Sequence, residues 1–203
     1  MCPLSVTCWP QRRKGQPNEA LKRIAALSGH SRLAQCYTKD SRMPYSPFYN
    51  RFPKIAKLET RAVTVIDPSA WNLPPASYYF HEMFCDEPGY DCRRVFFCVV
   101  SSLRQDIQAV IAWGWEDITF YAKWMGKNDP HIIKDLKGPA LNLASPQSDL
   151  APALLNLLRK VLLPDATFIE RIKRHYDMFR ETVDYKSKAV GSEEVYKKKN
   201  MRP

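Results

Sequence analysis

Four apolar runs rich in β-branched and aromatic residues lie between Thr60 and Trp113, and every later apolar run has helical spacing. This segregation constrains the fold more than any other feature of the chain. Strands joined by short links pair antiparallel, and helices that follow them must cover a face of the sheet they form. The expected fold class is therefore α+β, with an antiparallel sheet of about four strands followed by C-terminal helices. The strand runs are 60–66 (TRAVTVI), 78–85 (YYFHEMFC), 92–101 (CRRVFFCVVS) and 106–113 (DIQAVIAW). The third is apolar on both faces, which predicts a central position. Residues 102–105 form a short link, so the third and fourth strands are expected to make a hairpin.

The helical runs begin at Glu116. Residues 116–125 carry Phe120, Tyr121, Trp124 and Met125 at helical spacing, with acids at the start and Gly126 just past the end. Residues 127–147 read as loop, with His131 in it. Asp149 is expected to cap a leucine-rich helix that Pro164 stops, and Asp165 to cap a second one. The second helix places Phe168, Ile169, Ile172, Tyr176 and Phe179 on one stripe. Apolar residues nearly encircle the leucine-rich helix, which suggests a homodimer through it. Trp113, Trp115 and Trp124 are expected to anchor the core.

The 203 residues fit one domain. With 45% hydrophobic and 12% aromatic residues, the chain can build a core. Sixteen prolines against seven glycines predict many loops. Residues 1–42 carry eight Lys and Arg against two acids, +6 of the total +10. Such a block reads as a disordered basic arm, or as sequence upstream of a natural start at Met43. Residues 43–57 read as an extended aromatic and proline-rich lead-in, 58–183 as the single α+β domain, and 184–203 as a flexible basic tail. The apolar runs fall far short of the roughly 20 residues that a spanning helix needs. The first fifteen residues lack the order of a secretory signal. The expected location is the cytoplasm, where six cysteines stay reduced.

Ligand-type residues concentrate in 79–95. If the second and third strands pair around 86–91, Cys85 and Cys92 meet at the base of the hairpin, with Asp86 and Asp91 beside them. Zinc is the metal such a set would hold, although zinc sites take four ligands and two thiols with two aspartates is an uncommon choice. His81 stands about 13 Å from Cys85 on an extended strand and joins only if the chain bends. Cys98 is about 20 Å from Cys92 and reads as a core thiol. Three readings of the two cysteines stay open: metal ligands, redox or nucleophilic thiols, and buried structural residues.

The same stretch resembles a Y-x-F-x-E-x-Y-C-x-x-P-x-C-D-C-R-R-V segment of an uncharacterised bacterial protein family. In that pattern an aromatic helix ending in W-M-G and a closing helix containing R-H-Y follow. Here the matching residues are 79–95, Trp124-Met125-Gly126 and Arg174-His175-Tyr176. The resemblance implies no activity. Tyr90 stands where the pattern has the first cysteine of C-D-C, so one of three clustered thiols is missing.

Three functions follow as expectations. The first is a small non-enzymatic domain that acts through a protein partner and carries a thiol–carboxylate hairpin able to bind a metal. The second is nucleic-acid binding through the basic arm and the last helix, with Arg93, Arg94, Arg171 and Arg174 as phosphate contacts. Without residues 1–42, however, only +4 remains. Arg93 and Arg94 are expected on opposite faces of a strand, where either can bind an anion or pair with Glu82. The third is an enzyme with Cys85 or Cys92 as nucleophile and His81 or His175 as base. His175 is otherwise expected at the surface or between helices.

Overall fold

The computed structural model of the chain describes residues 6–7, 45–104, 106–126 and 129–200, with side chains described within 45–185. The rest of the basic arm lies outside the described residues. The strands are β1 (Val6–Thr7), β2 (Tyr45–Pro47), β3 (Arg61–Val65), β4 (Ala76–Cys85), β5 (Arg94–Ser101), β6 (Ile107–Gly114) and β7 (Ala140–Leu141). They form an antiparallel sheet in the order β1-β3-β4-β5-β6-β7, with β2 also paired to β4. The four expected strands are its centre, β3 to β6. The additional strands are two or three residues long, too short to show a period.

One edge of β4 is shared. β3 pairs up to Arg61↔Phe80, and β2 takes over from Pro47↔Met83, so His81 and Glu82 lie in a gap between the two partners. The chain bridges this gap with two short helices, α1 (Phe48–Arg51) and α2 (Pro53–Glu59). The lead-in is thus part of the fold and not an extended surface segment. Phe48 is only 2% exposed. A further short helix, α3 (Pro68–Trp71), follows β3.

After β6 comes α4 (Ile118–Met125), capped by Asp117 and closed by Gly126 in the left-handed conformation. The stretch 127–147, expected to be mostly loop, holds a helix and the short strand β7. Asp129 caps α5 (Pro130–Lys137), whose Pro130 occupies the first turn, where its missing N–H costs nothing. His131 is therefore helical. Next, α6 (Ala151–Leu157) passes into a π-helical turn, Leu158–Leu162. Asp149 does not cap it; the Leu150 N–H donates to Ser148 Oγ at 3.2 Å. Asp165 does cap the last helix, α7 (Ala166–Asn200), accepting from Thr167 and Phe168. The α7 backbone continues past Asp184, where the sequence reading begins a tail.

Leu154, Leu157, Leu158 and Leu162 are fully buried and pack with Phe168, Ile172 and Phe179 against Phe80, Phe97 and Ile111 of the sheet. The leucine-rich helix suggested for a homodimer thus turns these four leucines into the chain's own core, with Leu155, Val161 and Leu163 only partly buried. A smaller cluster on the other face holds Tyr45, Met83, Phe96, Cys98, Val110 and Ala112. Among the described residues no helix is long and apolar enough to cross a membrane.

Candidate functional site

β4 and β5 are joined by residues 86–93, and the thiols stand at the base of this loop. Cys85 and Cys92 carry free thiols, are only 3% and 4% exposed, and lie close enough for each to act on the other's ionisation. The two ionisations are linked. The hydrogen bond from Cys92 holds the Cys85 thiol down to about 7, against the opposing effect of burial. A backbone hydrogen bond at Glu87 and the positive charge of Arg180 pull the same way. The Cys92 thiol is pushed up by its bond to Cys85 and by burial. Of the two, Cys85 is the thiol that ionises more readily, with the charge of Arg180 acting on it.

The carboxylates do not join them. Asp86 accepts a hydrogen bond from Ser46. Asp91 accepts from Tyr176 Oη at 2.6 Å and from Arg93 Nε at 3.0 Å. β4 runs unbroken from Ala76 to Cys85, so His81 stays about 13 Å along the strand from the thiols and does not bend toward them. Burial holds the His81 imidazole down to about 4. Among the described residues no group of three His, Cys, Asp or Glu side chains is placed to hold a metal ion.

The loop is held from two sides. Tyr176, Arg180 and Asp184 recur every four residues and so share one face of α7. Arg180 Nη1 donates to the carbonyls of Cys85 (3.2 Å) and Glu87 (2.9 Å), and its Nη2 donates to Asp184 at 2.7 Å. Asp184 also accepts from the Gly89 N–H at 3.1 Å. The Arg93 N–H donates to Tyr176 Oη at 3.2 Å. From the α4 side, Tyr121 Oη donates to the Arg93 carbonyl at 2.9 Å. Gly114 makes room for this: a Cβ there would lie 2.0 Å from Tyr121 Oη. Tyr90 meets Trp124 edge-on at 5.0 Å. The three segments that carry the sequence resemblance therefore converge on one loop.

Each arginine named as an anion contact lies against an acid or an aromatic ring. Arg93 precedes β5 with a left-handed φ of 46°, and pairs with Asp91 and with Glu116 at 3.0 Å each. Arg94 lies over the Phe96 ring at 5.2 Å. Neither arginine pairs with Glu82. Arg171 approaches Glu82 at 3.7 Å, and Arg174 pairs with Glu59.

A second polar cluster fills the gap in the edge of β4. His175 is not a surface residue but 1% exposed. Its Nδ1 lies 2.6 Å from Glu82 and its Nε2 3.1 Å from Glu59, while its ring stacks on Phe48 at 4.3 Å. A pocket beside it is lined by Tyr49, Thr60, His81 and Glu82. The sequence held a signal for this pair. Glu82 interrupts the alternating apolar set Tyr78, Phe80 and Phe84, and His175 interrupts the stripe between Ile172 and Phe179. A polar residue at an apolar-face position needs a buried partner, and here each is the other's.

No family model, curated protein or solved structure matches this chain.

Proposed function

We propose that the chain is a dithiol module, in which Cys85 is the attacking thiolate and Cys92 the thiol that closes a reversible disulfide. The observation that carries the reading is the meeting of two free, buried thiols at the base of a clamped loop, with Arg180 donating to the Cys85 and Glu87 carbonyls beside them. Oxidation would form one S–S bond. Two protons and two electrons would leave the pair for an oxidant of the hydroperoxide or disulfide class. The zinc reading lacks this support, because Asp86 and Asp91 are turned to other partners and His81 is distant.

The roles are tested with single-serine variants and a sulfenic-acid trap. Oxidised Cys92→Ser should accumulate trapped sulfenic acid on Cys85, because the second thiol is absent. Oxidised Cys85→Ser should give no trapped product on Cys92. Equal trapping on either cysteine would refute the assignment.

A further inference from the structure

The surroundings of the two thiols restrict what can oxidise them. Both cysteines are almost fully buried, and the loop over them is fixed at several points. Arg180 holds the carbonyls of Cys85 and Glu87, Asp184 holds the Gly89 N–H, and Tyr176 and Tyr121 hold both backbone groups of Arg93. Exchange with another disulfide requires the attacked S–S bond to lie in line with the incoming sulfur. A peptide or protein disulfide cannot take that position without releasing the clamp. A hydroperoxide as small as hydrogen peroxide needs little more room than a water molecule.

Resting on the dithiol reading, we infer that the oxidant of the Cys85–Cys92 pair is a small hydroperoxide and not a protein or peptide disulfide. The Cys85 sulfur attacks one peroxide oxygen. The O–O bond breaks, an S–O bond forms, and the departing hydroxide takes up the proton released by the Cys85 thiol and leaves as water. The Cys92 sulfur then attacks the Cys85 sulfur. The S–O bond breaks, the S–S bond forms, and the hydroxyl leaves with the Cys92 proton as a second water. Two thiols and one hydrogen peroxide thus give one disulfide and two waters. The charge of Arg180 lies close enough to act on Cys85 and favours its anionic form. Cys98 is buried in the cluster on the other face of the sheet and serves as an internal control.

The test uses the full wild-type chain, folded and in urea, with hydrogen peroxide or glutathione disulfide at equal concentration. Peptide mapping after acid quenching follows the Cys85–Cys92 link. In the folded protein peroxide should form the link while Cys98 stays reduced. Glutathione disulfide should act at least about tenfold more slowly on the folded chain than on the unfolded one, since it must wait for local opening. If glutathione disulfide links or caps Cys85 in the folded chain as fast as in urea, the size restriction is wrong and the dithiol reading stands. If it forms the link and peroxide does not, the oxidant class is wrong and the dithiol reading stands. If neither oxidant joins Cys85 to Cys92 in the folded chain, both are wrong.

Discussion

Replacing Arg180 with methionine removes the clamp while keeping most of the stem volume. The arginine is 8% exposed and makes three charge-assisted hydrogen bonds. They differ in worth. Asp184 is partly exposed, so its ion pair contributes about 0.2–1 kcal/mol. The Glu87 carbonyl belongs to an exposed residue and can turn to water. The Cys85 residue is buried, and leaving its carbonyl unsatisfied costs about 1–3 kcal/mol. The expected loss for Arg180→Met is thus about 1–4 kcal/mol, read from urea unfolding at unchanged slope. Most of it falls on the 86–93 loop. A weakening of about 2 kcal/mol in the closed loop corresponds to roughly 30-fold faster alkylation of Cys85 by local opening. Cys98 should alkylate as in the wild type. A stability loss below about 1 kcal/mol, with Cys85 labelling unchanged, would refute the claim that Arg180 holds the thiol site closed.

Other consequences follow from the buried charges. Glu82→Leu leaves Arg171 without its carboxylate and His175 with Glu59 alone, and should cost about 3–5 kcal/mol, while Glu82→Leu with His175→Leu should recover part of it; a double-mutant cycle in urea measures both. The rate of Cys85 alkylation should rise with pH through a midpoint near 7, two units below the 9.0 of an ordinary thiol. His81 should destabilise the protein in acid. Its folded value of about 4 lies below the usual 6.5, so the unfolded chain takes up a proton first and stability is lost as pH falls through that window. At pH 5 the loss is on the order of 2 kcal/mol relative to pH 7, and His81→Phe should abolish it, as urea titrations at the two pH values would show.

The central strands and the last helix were legible because they are long enough to show a period and carry local end signals, such as Asp165 and Gly126. β2 and β7 were not, since two or three residues hold no period. Pro130 concealed α5: a proline reads as a breaker unless the preceding Asp129 is recognised as its cap. At the site, the meeting of Cys85 with Cys92 followed from one hairpin and was legible. The direction of the carboxylates was not. Asp91 is turned by Tyr176, which is 85 residues away, and Asp86 by Ser46, which is 40 away. No local spacing encodes such contacts. The buried Glu82–His175 pair lay within reach of pattern reading, but each residue became informative only when α7 crossed β4.

The central claim is that Cys85 and Cys92 form one reversible redox pair. Titrating the folded chain with hydrogen peroxide, then reversing the reaction with a small water-soluble phosphine, with acid quenching and cysteine mapping at each stage, tests it most directly. One equivalent of peroxide should form only the Cys85–Cys92 link, and reduction should restore both thiols. A chain whose two thiols stay reduced in peroxide, or that links Cys85 or Cys92 to a different cysteine, would contradict it.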